Sequence, residues 1–252
     1  MLGKDELIRI AKTRGLKAWQ EEERYLQALV LYALRSSNLT CKGGTYLWFF
    51  HGLDRFSEDL DFTGQVRLGN RIIDRTIETL GLFSVQATHK VIKDDRYVLS
   101  FRIDALGPLY INATDTCRVY VEISRRESIL LRQTTVRLDE PLYGIPICFL
   151  KGMELKEVFA EKVGAFIRRK AVRDLYDIWF LLARKGVTPD LKLIEKKLSF
   201  YKMPYAHSEF EDSLQKVRPN WERELRSTVL GELLPFEEVS SQVALNLRNL
   251  SK

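Results

Sequence analysis

Apolar positions at helical spacing open the chain. Leu7, Ile10, Leu16 and Trp19 begin a stripe that Tyr25, Leu26, Leu29, Val30, Ala33 and Leu34 continue, so residues 4–36 are predicted to be helical. Gly15 is expected to divide this stretch into two helices, and Ser36, Ser37 and Asn38 to stop the second. From residue 39 the period changes. Short runs at Asp59–Phe62, Val85–Lys93, Tyr97–Ile103, Arg118–Ser124 and Ile129–Arg132 read as strands. Among them, Thr45–His51 reads as a helix, and Asn70–Leu80 as a helix ending at Gly81. From Glu154 the helical period returns. Glu154–Lys170 and Ala171–Lys185 are predicted as two strongly amphipathic helices, the second stopped by Gly186. Leu191–Leu198, Glu209–Val217, Asn220–Leu230 and Phe236–Leu250 follow as weaker ones. Strands interleaved with helices predict an α/β or α+β core. Three parts result: N-terminal helices at 1–38, a mixed-sheet core at 39–150 and a helical part at 151–252.

Composition narrows the class without choosing a function. A chain of 252 residues buries roughly three quarters of its unfolded surface, so its core needs neither disulfides nor metals. Apolar residues at 45% and charged residues at 29% exclude disorder as the main state. The longest apolar runs, Tyr46–Phe50 and Ile178–Ala183, fall far short of the roughly 18 residues of a membrane span. MLGKDELIRI has two acids in its first six residues and no apolar centre, so it does not read as a secretory signal. A soluble, cytoplasmic protein is expected. Cys41, Cys117 and Cys148 are odd in number and far apart, and His51, His89 and His207 are scattered, so neither a disulfide framework nor a structural zinc site is expected. The net charge of +6 sits mainly in residues 151–252, which carry +4, while residues 39–150 are neutral. That bias is compatible with a polyanionic partner, or with solubility alone.

The densest polar constellation is Lys42-Gly43-Gly44-Thr45 followed by Arg55-Phe56-Ser57-Glu58-Asp59-Leu60-Asp61-Phe62. On a strand, Leu60 and Phe62 take one face and Asp59 and Asp61 the other, with Cα atoms roughly 6.6 Å apart. Two carboxylates so placed repel each other unless a divalent cation lies between them, which is how Mg²⁺ is commonly held beside phosphate oxygens. Alone, the pair would better suit a solvated strand face. Gly43 and Gly44 before a helix let backbone N–H groups approach a phosphate, with Lys42 and Thr45 adding a cation and a hydroxyl. A plain Gly-Gly turn is the rival there. In Arg118–Ser124, Glu122 alternates away from Val119, Val121 and Ile123, so it is a third carboxylate candidate, with Asp104 as its rival. Three such acids suit metal-assisted phosphoryl or nucleotidyl transfer. Lys162 falls inside the apolar stripe Leu155, Val158, Phe159, Val163, Phe166, Ile167. A lysine there needs an anion. It either contacts nucleotide phosphates or forms a structural pair with Asp174 or Asp177 of the next helix. Arg168, Arg169, Lys170 and Arg173 crowd the intervening turn, as a polyanion contact or as solvated, helix-capping cations.

KGGT (42–45), RFSEDLDF (55–62), VEIS (121–124) and EKVGAFIRRKAVRDLYDIWFLL (161–182) together resemble the AbiEii/AbiGii nucleotidyltransferase toxins of toxin–antitoxin and phage-defence systems. The resemblance spans about 140 residues in order. It implies an α+β fold with a polymerase-β-like mixed-sheet core and a helical C-terminal part. It implies transfer of NMP from an NTP, with Mg²⁺ or Mn²⁺, to an acceptor such as a tRNA 3′ end. Clustered a few residues beyond Lys162, Arg168, Arg169, Lys170 and Arg173 are the expected phosphate contacts of such an RNA. By motif position, Asp59 and Asp61 would be metal ligands, with Glu122 completing the set less uniformly. Lys42, Gly43, Gly44, Thr45 and Ser57 would line the phosphates. Lys162 would hold the nucleotide, with Asp174 and Asp177 beside it. A cognate antitoxin is the implied protein partner. Rival readings are NMP or phosphate transfer to a protein or small-molecule hydroxyl, and a non-catalytic nucleotide- or partner-binding module. Intact Asp59, Asp61 and Lys162 speak against the last.

Overall fold

A computed structural model describes residues 1–64 and 69–248. The chain forms two compact units. The first comprises Met1–Gly52, Phe56–Ser128 and Gln133–Gly152, and the second Leu53–Arg55, Ile129–Arg132 and the chain from Met153 onward. The N-terminal helices therefore belong to the sheet unit.

In the first unit, α1 (Lys4–Arg14) ends at Gly15, whose φ of 68° closes the helix in the left-handed region. Then follow α2 (Ala18–Leu34), β1 (Thr40–Lys42), α3 (Gly43–His51), β2 (Leu60–Thr63) and α4 (Gly69–Leu82). β3 (Gln86–Asp94), β4 (Val98–Leu106), β5 (Cys117–Ser124), β6 (Thr134–Leu138) and β7 (Cys148–Gly152) complete it. The sheet order is β3-β4-β5-β2-β1-β7-β6. β2 with β5 and β1 with β7 are parallel, and the remaining pairs antiparallel. Leu60 and Phe62, Leu99, Phe101 and Ile103, and Val119, Val121 and Ile123 are all buried. Alternation puts these residues on one face of the sheet. α2 and α4 pack on each other and onto β5 and β3, and contribute the buried Leu26, Leu29, Val30, Ile73 and Leu80.

The second unit is helical: α5 (Leu155–Arg169), α6 (Val172–Ala183), α7 (Leu191–Ser199), α8 (His207–Val217), α9 (Trp221–Leu225) and α10 (Phe236–Arg248). Its core includes Phe159, Phe166, Tyr176, Phe210 and Trp221, all almost fully buried. Among the described residues no helix is long and apolar enough to cross a membrane.

Several predicted boundaries move. Ile129–Arg132 is not a strand; Leu130 and Leu131 donate their N–H groups to the Glu157 carboxylate at 2.8 Å each, so no ladder forms, and the strand falls at β6 instead. β1 and β7 escape the sequence reading because three and five residues give alternation too little length. α4 runs through Gly81 to Leu82, and Ser84, at φ 59°, turns the chain. The helix predicted over Asn220–Leu230 stops at Leu225, since the chain leaves it to pair with the 54–55 segment: Arg55 bridges Val229, and Leu230 donates to the Asp54 carbonyl at 2.8 Å. The end predicted for the last helix, 249–250, lies outside the described residues.

Candidate active site

Strand register assembles the first-unit carboxylates. Asp61 on β2 lies directly opposite Glu122 on β5, and opposite Lys42 on β1. Directly paired residues share a face, so Asp61 and Glu122 project from the side away from Leu60, Phe62, Val121 and Ile123. Asp59, two residues upstream of Asp61, lies just before β2, outside the ladder. Asp104 also lies on this face but one strand further out, beside Arg118 rather than Glu122. There it pairs with Arg102 at 2.9 Å and with Arg118 at 3.6 Å. Glu122 is thus the neighbour of Asp61, and Asp104 is committed to two arginines. Among the described residues no group of three or more His, Cys, Asp or Glu side chains is placed to hold a metal ion. Asp61 and Glu122 form an acidic ledge close in sequence to Asp59, with carboxylate oxygens of the kind that hard divalent cations prefer.

The glycine turn abuts this ledge. Gly43 has φ 76°, and a Cβ there would collide with the Asp61 carboxylate. Only glycine lets the start of α3 come this close to the carboxylate. The start of α3 and the acid are therefore neighbours, as an anion bridged to a cation would require. Gly43→Ala is expected to displace the Asp61 carboxylate, lowering activity by at least about 100-fold and stability by about 1–3 kcal/mol. Gly52 is the control. It caps the other end of α3 at φ 71° with nothing within 4 Å of a built Cβ, so Gly52→Ala carries backbone strain alone. Equal activity in the two variants would contradict the role given to the close approach.

Neighbouring side chains mostly hold the ledge in shape. Buried Thr45 donates its hydroxyl to the Asp59 carbonyl, so it fixes the acid's backbone. Gln27 of α2, fully buried, donates to the carbonyls of Ser57 at 3.0 Å and Glu58 at 2.7 Å, pinning the segment that enters β2. Ser57 itself is buried beside that anchor. Lys42 forms an ion pair with the buried Glu127. Burial, together with the charges of Glu58 and Asp59, pushes the carboxyl of half-buried Glu23 up to about 9, so it retains its proton at neutral pH. Gln27, Glu23 and Glu127 were not singled out in the sequence. Gln27 left a signal, a polar residue inside the apolar run Leu26–Leu31.

The second unit carries a buried charge network. Lys162 Nζ lies 2.6 Å from Asp177 and 3.1 Å from Asp174. Arg55 grips Asp177 with both Nε and Nη2, at 2.9–3.1 Å, and Arg169 reaches Asp174 at 3.0 Å. Asp174 and Asp177 are fully buried and Lys162 nearly so. Burial opposes the Lys162 ammonium, but the charges of Asp177 and Asp174 outweigh it and raise its affinity for the proton. Burial likewise opposes the charged Asp174, and Lys162 and Arg169 overcome it, holding that carboxyl below its ordinary range. The turn cations also have partners within the unit. Arg168 stacks 3.6 Å from the Tyr201 ring centroid, Lys170 donates to the Ile167 carbonyl at 3.0 Å, and Arg173 is exposed, its charge lowering the Asp174 carboxyl. A second buried lysine, Lys197, sits between Glu157 and Glu161 at 2.5 and 2.8 Å, and the apolar pattern gave no hint of it.

No curated protein sequence matches the chain significantly. Solved structures do match in fold. JHP933 from Helicobacter pylori is 18% identical, with TM-score 0.61, covering 93% of this chain and 92% of that one. A putative nucleotidyltransferase from H. pylori is 18% identical with TM-score 0.64, over 90% and 92% of the two chains. MenT4, a nucleotidyltransferase toxin of Mycobacterium tuberculosis, is 18% identical with TM-score 0.53, over 99% of each. The family model of the nucleotidyl transferase AbiEii toxin of type IV toxin–antitoxin systems matches residues 24–242, most of the chain, including Asp59, Asp61, Glu122 and Lys162. The acidic ledge, the glycine turn against it and this match over both units together make the chain a nucleotidyltransferase of the AbiEii toxin family.

Proposed function

We propose that the protein transfers NMP from an NTP to the 3′ hydroxyl of an RNA acceptor, such as a tRNA end, as the toxin of a cytoplasmic toxin–antitoxin pair with a role in phage defence. The observation that carries this reading is the direct pairing of Asp61 with Glu122 beside Gly43. Asp59, Asp61 and Glu122 would hold Mg²⁺ or Mn²⁺, which when bound neutralises phosphate charge and the developing charge of the transition state. The N–H groups of Gly43 and Gly44 would bind the departing phosphates at the start of α3. Thr45 and Gln27 keep the ledge rigid, which preserves the alignment that transfer needs. In the reaction the acceptor hydroxyl oxygen bonds to the α-phosphorus, the bond to the β-phosphate oxygen breaks, pyrophosphate leaves and the hydroxyl proton passes to water. Purified protein incubated with Mg²⁺, each labelled NTP and total tRNA is expected to label RNA. Label on protein alone would move the acceptor to a side-chain hydroxyl.

Lys162 separates two roles by measurement. Lys162→Met keeps most of the volume and removes the charge. As a nucleotide contact, its loss should weaken NTP binding by about 1.5–3 kcal/mol, beside the stability lost when Asp174 and Asp177 give up a buried partner. As a structural pair alone, its loss should appear in stability only. We propose the nucleotide contact. A destabilised variant with unchanged NTP affinity would overturn it.

A further inference from the structure

The face that bears the acids continues, uncovered by the core, across β5, β4 and β3. Three rows of paired residues can be read from the register. Ser100, Glu122 and Asp61 form the first, Lys90, Arg102 and Tyr120 the second, and Thr88, Asp104 and Arg118 the third. Leu99, Phe101, Ile103, Val119, Val121 and Ile123 on the opposite face are almost fully buried. On the open face Thr88 and Lys90 are exposed, Tyr120 is 38% exposed, and the Arg118 side chain is 58% exposed. Asp104 lies between Arg102 and Arg118 and holds both guanidiniums beside each other. A depression of about 450 Å³, lined by Gln86, Thr88, Asp104, Thr116 and Arg118 among others, marks the far end of this surface.

Sheet order gives the surface a place in the reaction. Gly43 lies at the end of β1, on one side of Asp61; β5, β4 and β3 lie on the other. In phosphoryl transfer the attacking and leaving oxygens are roughly in line. If the pyrophosphate departs on the β1 side, the acceptor hydroxyl enters from the β5 side. The chain that carries that hydroxyl then runs over the rows beyond Glu122. The far row is about 13 Å from Glu122, four strand steps away. Three cations against one acid, with an exposed ring among them, match a sugar–phosphate chain with a base to stack.

We propose that a single-stranded RNA 3′ end lies on the open face of β3, β4 and β5, with Lys90, Arg102 and Arg118 contacting its phosphates and Tyr120 stacking on a base. This rests on the nucleotidyltransferase reading above and names where its acceptor binds. The full-length protein tests it by filter binding of total tRNA across a salt series. Replacing Lys90, Arg102 and Arg118 together with Gln should flatten the salt slope by about two to three units, if each makes one contact. Tyr120→Leu should weaken RNA binding about tenfold, while Tyr120→Phe, which keeps the ring, should retain it. NTP binding by both sets should equal wild type, which also shows that they fold. Arg168, Arg169 and Lys170 changed together to Gln form the competing arm. Wild-type RNA binding and slope in the face variants would overturn the proposal, as would a flattened slope in the turn variant alone. Wild-type protein that labels RNA while the face variants do so equally well would defeat this surface and leave the transferase reading standing. Wild-type protein that transfers NMP to nothing would defeat that reading itself.

Discussion

Asp61→Asn is expected to lower nucleotidyl transfer by roughly a thousand-fold, about 4 kcal/mol of transition-state stabilisation. Asp61 is the residue on which the site's other features converge: Glu122 pairs with it across β5, Lys42 across β1, and the Gly43 backbone touches its carboxylate. Asn keeps the shape and removes the charge. Metal-free protein should melt within a few degrees of wild type, because one of several crowded acids is neutralised. Glu122→Gln should fall in the same direction. Asp104→Asn should not, because that acid already serves Arg102 and Arg118 rather than Asp61. Wild-type turnover by Asp61→Asn, measured with saturating NTP and metal, would contradict the assignment.

Asp177→Asn is expected to cost about 3–5 kcal/mol of stability, the usual cost of breaking a buried ion pair from one side. The carboxylate is fully buried and takes three hydrogen bonds from the Arg55 fork and one contact from Lys162. Removing its charge takes one of two carboxylates from Lys162 and the forked carboxylate from Arg55. For a chain of this size that corresponds to a loss of roughly 10 °C or more in melting temperature. Arg55→Met should cost nearly as much, and the double variant less than the sum, since the two share one interaction. Additive losses would mean that the network is not a unit.

These two sites differ in how far they could be read from the chain. The ledge was legible because alternation carries over short distances: Leu60 and Phe62 against Asp61, Val119, Val121 and Ile123 against Glu122. That β2 and β5 are parallel neighbours was not, because no local signal encodes a pairing across some sixty residues. The position of Lys162 in an apolar stripe announced a buried charge, and both acids proposed for it are its partners. Arg55, the third member, sat inside the motif and passed unnoticed, since its partner is 122 residues away. Gln27 and Glu157 act on backbone groups, and such partners leave no residue pattern. The strand expected at Ile129–Arg132 failed for the same reason: a buried carboxylate took the N–H groups that a neighbouring strand would have used.

Which bond of the NTP breaks tests the central claim most directly. Wild-type protein is incubated with divalent metal and tRNA, once with NTP labelled on the α-phosphorus and once on the γ-phosphorus. Nucleotidyl transfer predicts label on the acceptor from the α-position only, with the γ-label recovered in pyrophosphate in equal amount, and neither product from Asp61→Asn. Acceptor labelled from the γ-position would make the reaction phosphoryl transfer and contradict the account.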